Sequence, residues 1–250
     1  MITVQQLKDI LFDIAPADLA EEWDNVGIMV DSGKDADKIL FALDCTDEVL
    51  NEAKKRECGI VVTHHPFIFR GVKSISAGSA LYKAIHEDIS VLSVHTNYDS
   101  AENGVNDVLC ERLDIDVAVS SGLMGRIGYI KSGPMDFRVF CEFVKERLNI
   151  PSLDAAYAGS EVHKVMVIGG SGGDFLNAAR EYGCDTLVTG EASHHDGIDA
   201  LSMGINLVVA GHYATENPSI PNLCRMVQER LGDKADCYIS LSNRDPFLHL

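Results

Sequence analysis

The sequence predicts an α/β protein made of two related halves, each a mostly parallel sheet flanked by helices. Three observations lead there. Apolar, β-branched strands alternate with amphipathic helical segments. The strand–helix–strand pattern returns in the second half of the chain. The composition, 46% hydrophobic and 24% charged over 250 residues, suits one large domain or two ordinary ones with a substantial core.

Thr3 N-caps an expected helix whose Val4, Leu7, Ile10, Leu11 and Ile14 follow the 3.6-residue period, and Pro16 ends it. The segment Glu21-Glu22-Trp23-Asp24-Asn25-Val26-Gly27 reads as a loop entering a short strand. A strand over Ile39 to Leu43 and a helix from Thr46 to Glu57 follow. The strand Ile60 to Thr63 runs straight into His64-His65-Pro66, and Pro66 stops the pairing, so both histidines sit at a strand's carboxyl end. A helix near Ser79 to Glu87 leads to the strand Ser90 to Val94, which finishes at His95. Gly122 to Pro134 is glycine-punctuated and reads as the seam. The expected division is therefore 1–121, a connection over 122–134, and 135–250, with the halves interlinked.

Shifting the first half by 126 residues aligns a strand–helix–strand unit without a gap: Leu50 falls on Leu176, Asn51 on Asn177, Ala53 on Ala179, Cys58 on Cys184, Val62 on Val188 and Thr63 on Thr189. A shorter connection brings Ile89–His95 against Ile205–His212 and Asp99 against Glu216. The match includes asparagine, cysteine, threonine and histidine, which core packing alone does not demand. We read it as an internal duplication.

Lys+Arg 21 against Asp+Glu 38 gives a formal charge of −17. Such a surface repels a phosphate backbone, which argues against general nucleic-acid or anionic-membrane binding. No apolar run reaches the roughly 18 residues that span a bilayer. The N-terminus has no basic segment leading into an apolar one, so the expected location is the cytoplasm. The 7 cysteines never form C-x-x-C and read as reduced, mostly buried thiols.

Both repeats place a histidine at a strand's end with a carboxylate four residues on: His95 with Asp99, and His212 with Glu216. With His64-His65 they supply imidazoles and carboxylates where open α/β sheets collect functional groups. That donor mixture suits divalent first-row metals, Fe, Zn, Mn, Co or Ni. A His-His pair by itself more often serves structure; the duplicated corners carry the metal reading.

Weaker signals surround this set. Gly169-Gly170-Ser171-Gly172-Gly173 follows the strand Val165 to Ile168 and precedes Asp174, the expected start of a helix. Gly170 and Gly172 are candidate phosphate contacts there, and a tight turn is the other explanation. Glu191 aligns with His65, and Glu191 and His195 are candidate catalytic groups. A helix-terminal acid bonding backbone amides is the competing explanation for Glu191. His194 stays open, and Trp23, with Asp24 and Asn25, either lines a pocket or anchors a buried loop. His86, His163 and His249 read as incidental.

Trp23-Asp24-Asn25-Val26-Gly27, Thr63-His64-His65-Pro66, His95-Thr96-Asn97-Tyr98-Asp99, Thr189-Gly190-Glu191 and Gly211-His212-Tyr213 with Glu216 resemble, in order and over nearly the whole chain, the NIF3-like proteins. These form the DUF34 or YbgI-type dinuclear-metal family, many of whose members are named GTP cyclohydrolase 1 type 2 homolog. The resemblance implies two intertwined α/β halves and two divalent metal ions held by His64, His65, Asp99, His212 and Glu216. His95 lies outside the family's usual ligand set and is expected behind the ligands or facing substrate, where it could orient Asp99. A ring-shaped homo-hexamer is also implied. Five side chains leave coordination positions on two ions open, which favours hydrolysis by metal-activated water on a nucleotide or similar anionic heterocycle. The other class is a non-catalytic metal-binding adaptor, regulator or metal store. Glu191, His195 and an open glycine loop are more than a store needs.

Overall fold

A computed structural model describes residues 1–119, 122 and 124–248. In chain order it contains α1 (Val4–Ile14), β1 (Gly27–Val30), β2 (Lys38–Ala42), α2 (Asp47–Arg56), β3 (Ile60–Thr63), α3 (Ala80–His86), β4 (Ser90–Ser93) and α4 (Thr96–Ser100). There follow α5 (Val105–Arg112), β5 (Ile115–Val119), β6 (Arg126–Ile130), α6 (Phe137–Leu148), β7 (Asp154–Ala156), β8 (Lys164–Ser171), α7 (Leu176–Glu181) and β9 (Thr186–Glu191). The last elements are α8 (His194–Met203), β10 (Asn206–Val209), α9 (His212–Glu216), α10 (Ile220–Leu231) and β11 (Asp236–Ile239). They form two compact units, one of Met1–Gly104 with Ser219–Arg244, the other of Val105–Pro218 with Asp245–Leu250.

The first unit holds a five-stranded sheet in the order β1-β4-β3-β2-β11. β4, β3, β2 and β11 run parallel and β1 antiparallel. Ile60, Val61 and Val62 are wholly buried, the continuous apolar run expected of a strand covered on both faces. Local chemistry starts the helices where the sequence places them. Thr3 Oγ1 accepts from Gln6 N while the Gln6 side chain accepts from Thr3 N, a reciprocal cap on α1. Thr46 and Ser79 accept the first free amides of α2 and α3 in the same way.

The second unit holds six strands in the order β5-β6-β8-β9-β10-β7, parallel in the centre and antiparallel at both flanks. The expected seam is not a connection: β6 occupies its middle. Two of its glycines, Gly125 and Gly128, mark close approaches within the sheet. A Cβ on Gly128 would lie 2.3 Å from Asp116 O, and one on Gly125 would lie 2.9 Å from Val167 O. The units also divide elsewhere than at 122–134, because β11 returns to pair with β2.

Register exposes the repeat directly. Ile39 pairs with Ile60 and Val165 with Thr186; Ile60 pairs with Ser90 and Thr186 with Asn206. The first two pairs are one pair displaced by the same 126 positions. Each sheet then adds an antiparallel strand, β1 or β7, beside the third parallel one.

Candidate metal centre

In the first unit the backbone ladder outlasts β3. His64 N donates to Ala42 O at 3.3 Å and His65 N to Leu43 O at 3.0 Å. Pro66 then has no N–H to give. Thr63 Oγ1 donates to His65 O at 2.8 Å and fixes the corner. His64 is fully buried with Nδ1 2.9 Å from Val94 O, and His65 Nδ1 lies 2.7 Å from Asp44 Oδ1. At the neighbouring strand end His95 caps α4, its N–H donating to Asn97 Oδ1 at 2.9 Å. Asp99 N donates to His95 O at 3.0 Å, and the buried Asp99 carboxylate reaches within 3.5 Å of His64 Nε2.

The loop before β1 belongs to the same cluster. Asp24 Oδ1 accepts from His95 Nδ1 at 2.9 Å, and Oδ2 accepts from Thr96 N at 3.0 Å and from Thr96 Oγ1. Burial opposes ionisation of this carboxyl, but the hydrogen bonds from His95 and Thr96 outweigh it and hold Asp24 at about 2. Asp24 is thus the loop's anchor. Trp23 is not buried: it is 59% exposed, with its ring edge-on to Phe69 and His95. The His95 side chain is committed to Asp24, and only its backbone carbonyl touches Asp99.

The rings of His64, His65 and His95 stand 5.1, 5.2 and 5.7 Å apart between centroids, and one nitrogen from each lies within 4.8 Å of the other two. Three imidazoles at such spacing, with a buried carboxylate against one of them, form a donor set suited to a divalent transition metal.

The second unit builds its corner from glycine. Gly211, at φ 91°, turns the chain from β10 into α9. His212 Nε2 lies 3.0 Å from Glu216 Oε2, and His212 Nδ1 lies 3.3 Å from Glu191 Oε2. Glu216 is buried against the tail of β8. There Gly170 has φ 62°, and its N–H donates to Thr215 Oγ1 at 3.1 Å. Thr215 in turn donates to Gly211 O and His212 O, tying the corner together.

The glycine run therefore has occupants from its own chain. Gly170 faces Glu216 and His212, and a Cβ on Gly172 would press on Ile168 and Thr189. β8 runs on to Ser171, and the helix expected at Asp174 begins only with Leu176, after a 3-10 turn. Glu191 closes β9 and does not cap α8, whose cap is the reciprocal Ser193–Asp196 pair. His194 and His195 lie exposed on the first turn of α8 with their ring centroids 5.9 Å apart. His86 and His163 are exposed, and His249 lies outside the described residues. The carboxyl ends of β8, β9 and β10 border a cavity of about 660 Å³ whose wall includes Glu191, Asp154, Asp174 and Asp196.

Two carboxylate contacts were not foreseen from the sequence: Asp44 with His65, and Asp24, expected only to line a pocket or anchor a loop, with His95. Asp44 follows β2 closely, so once β2 and β3 are neighbours its meeting with His65 is expected. No local pattern announces the reach of Asp24 to His95. The cysteines are all free, Cys58, Cys110, Cys184 and Cys224 buried, and burial pushes the thiols of Cys45 and Cys110 up to about 12.

Residues 2–246 match the model of the Duf34/NIF3 (NGG1p interacting factor 3) family. The chain belongs to the DUF34/NIF3 family. Among relatives, a Clostridium acetobutylicum protein named GTP cyclohydrolase 1 type 2 homolog is 35% identical over 98% of both chains. A Helicobacter pylori protein named GTP cyclohydrolase 1 type 2 is 30% identical over 86% of this chain and 88% of its own. The solved structure of a Staphylococcus aureus hypothetical protein, 27% identical, superposes with a TM-score of 0.90 over 99% of each chain. The DUF34/NIF3 fold is thus the mixed α/β architecture described above. No helix among the described residues is long and apolar enough to cross a membrane.

Proposed function

We propose that this DUF34/NIF3 protein is a metal-dependent hydrolase with a two-metal centre whose ligands are His64, His65, Asp99, His212 and Glu216. The observation that carries the reading is the tight group of His64, His65 and His95 with Asp99 beside it. The second unit adds the His212–Glu216 pair, and the resemblance of the chain's motifs to the family implies the same five ligands. When bound, divalent cations supply Lewis acidity and a nucleophilic hydroxide at neutral pH.

The chain's own groups take the remaining roles. Glu191, exposed at the cavity with its carboxylate 3.3 Å from His212 Nδ1, accepts the proton released as water attacks the substrate carbon. The substrate class is a nucleotide-like heterocycle cleaved at a ring C–N bond, in keeping with the name of the Helicobacter pylori relative. Asp154, Asp174 and Glu191 on the cavity wall can accept from ring N–H and amino groups, whereas phosphates would be repelled unless a cation intervened. The test is turnover by the metal-loaded protein across nucleotides, cyclic amidines and phosphoesters. Glu191→Ala should slow it with metal content unchanged, and no turnover across the panel overturns the hydrolase reading.

A second reading, an assembling metal-binding adaptor, is favoured by a different observation. Trp23, Phe69, Val72 and Ile75 are each between 45% and 59% exposed, more apolar surface than an isolated chain needs. Under either reading these side chains suit self-assembly into a homo-hexameric ring. Light scattering behind size exclusion tests this, and a monomer at micromolar concentration removes it.

A further inference from the structure

We infer that His95 is a fourth imidazole ligand of the metal centre, beside His64, His65 and His212, and that Asp24 holds it in the metal-binding tautomer. This rests on the metal reading above and extends it to a residue outside the family's usual ligand set.

His64 Nδ1 faces the carbonyl oxygen of Val94 at 2.9 Å, His65 Nδ1 faces Asp44 Oδ1 at 2.7 Å, and His95 Nδ1 faces Asp24 Oδ1 at 2.9 Å. A carbonyl or an ionised carboxylate only accepts, so each Nδ1 carries the proton. In the neutral ring Nε2 then keeps the lone pair, and it is the nitrogen each ring can offer a cation. Three rings with the same tautomer, their centroids 5.1 to 5.7 Å apart, therefore present three equivalent donors. Had His95 served only to orient Asp99, its ring would bond that carboxylate. It bonds Asp24 instead, the arrangement in which an outer carboxylate fixes and strengthens a ligating imidazole.

Asp24 accepts four hydrogen bonds from three residues, His95, Thr96 and its neighbour Asn25, and the bonds from His95 and Thr96 tie the loop before β1 to the start of α4. Trp23 and Phe69 cover the His95 ring from the side, which limits its rotation.

The experiment uses the full chain, stripped of metal and titrated with Co²⁺, reading the visible d–d absorption and the affinity against a chromophoric chelator. His95→Gln removes the imidazole donor, and Asp24→Asn replaces an acceptor-only carboxylate with an amide that can also donate, so the Nδ1 proton is no longer enforced. Both should lower Co²⁺ affinity about 10- to 100-fold and change the position or intensity of the absorption band. Circular dichroism and the melting temperature of the apo forms separate these effects from misfolding. Because Asp24→Asn also loosens the loop, the band of His95→Gln decides. An unchanged band and affinity in His95→Gln overturns the inference while His65→Ala, if it abolishes binding, leaves the metal reading standing. A wild-type chain that binds no Co²⁺ fails the metal reading itself, and this inference with it.

Discussion

Gly170 lies so close to Glu216 that a Cβ on residue 170 would sit 2.1 Å from Glu216 Oε1 and 3.2 Å from His212 Nε2. The same residue has φ 62°, a left-handed conformation that glycine adopts more readily than a residue with a Cβ. Two independent constraints thus act on one backbone position, and both serve the His212–Glu216 corner.

Gly170→Ala should therefore displace Glu216 as well as strain the strand. The backbone cost alone is about 1–3 kcal/mol, and the displaced carboxylate should lower metal content further. Elemental analysis with a chemical denaturation curve reads both. A variant with native stability and native metal content would show that the tail of β8 yields without moving Glu216.

His65→Ala and Glu216→Ala, made separately, should each sharply reduce the divalent metal carried by the purified protein. Each removes a donor with a close neighbour at the site, Asp44 at 2.7 Å from His65 and His212 at 3.0 Å from Glu216. Mass spectrometry of digested protein gives the metal-to-chain ratio. Unchanged ratios in both variants would remove these residues from the ligand set.

Glu52 predicts an acid-side loss of stability. Its carboxylate accepts from Ser240 Oγ at 2.7 Å, Arg56 Nη1 at 2.8 Å, Ser242 N at 2.9 Å and Leu241 N at 3.0 Å, binding α2 to the chain after β11. Burial pushes the group up, but these bonds outweigh it and hold it at about 2, below its ordinary 4.5. A depressed folded value means that the stabilisation is complete above pH 4.5 and is lost as the pH falls toward 2. Glu52→Gln should cost about 1–3 kcal/mol near neutrality and flatten the stability profile through that acid window. Urea midpoints from pH 7 downward check the slope, and parallel profiles for the two proteins would contradict it.

Arg126 is the largest side chain among the fully buried residues and pairs with Asp107. Its guanidinium also donates to Met124 O at 3.0 Å. Asp107→Ala should destabilise the chain by about 3–5 kcal/mol, because it leaves a buried cation short of its counter-charge. Asp107→Ala with Arg126→Met should recover part of that loss. Thermal melts of the single and double variants test it; additive losses would mean that the pair is not coupled.

Much of the fold was legible because its signals are local or periodic. The 126-residue offset announced the repeat, and the common register of Ile39–Ile60 and Val165–Thr186 realises it. Thr3, Thr46 and Ser79 start helices where short polar side chains meet apolar periodicity, since a cap needs only its own next three residues. His64-His65 at a strand end could be read for the same reason: β-branched residues make the strand, and Pro66 stops it.

Other features could be settled only by the folded chain. β11 joins β2 across nearly the whole sequence, and β6 fills what its glycines suggested was a connection. A glycine that loosens a loop and one that admits a neighbouring strand look alike until the neighbour is known. The proton positions on His65 and His95 depend on Asp44 and Asp24, one 21 and the other 71 positions away in sequence. Periodicity reports which face a residue turns to the core. Which acceptor waits there depends on how distant segments bury one another, because only that packing brings a carboxylate within bonding distance of an imidazole.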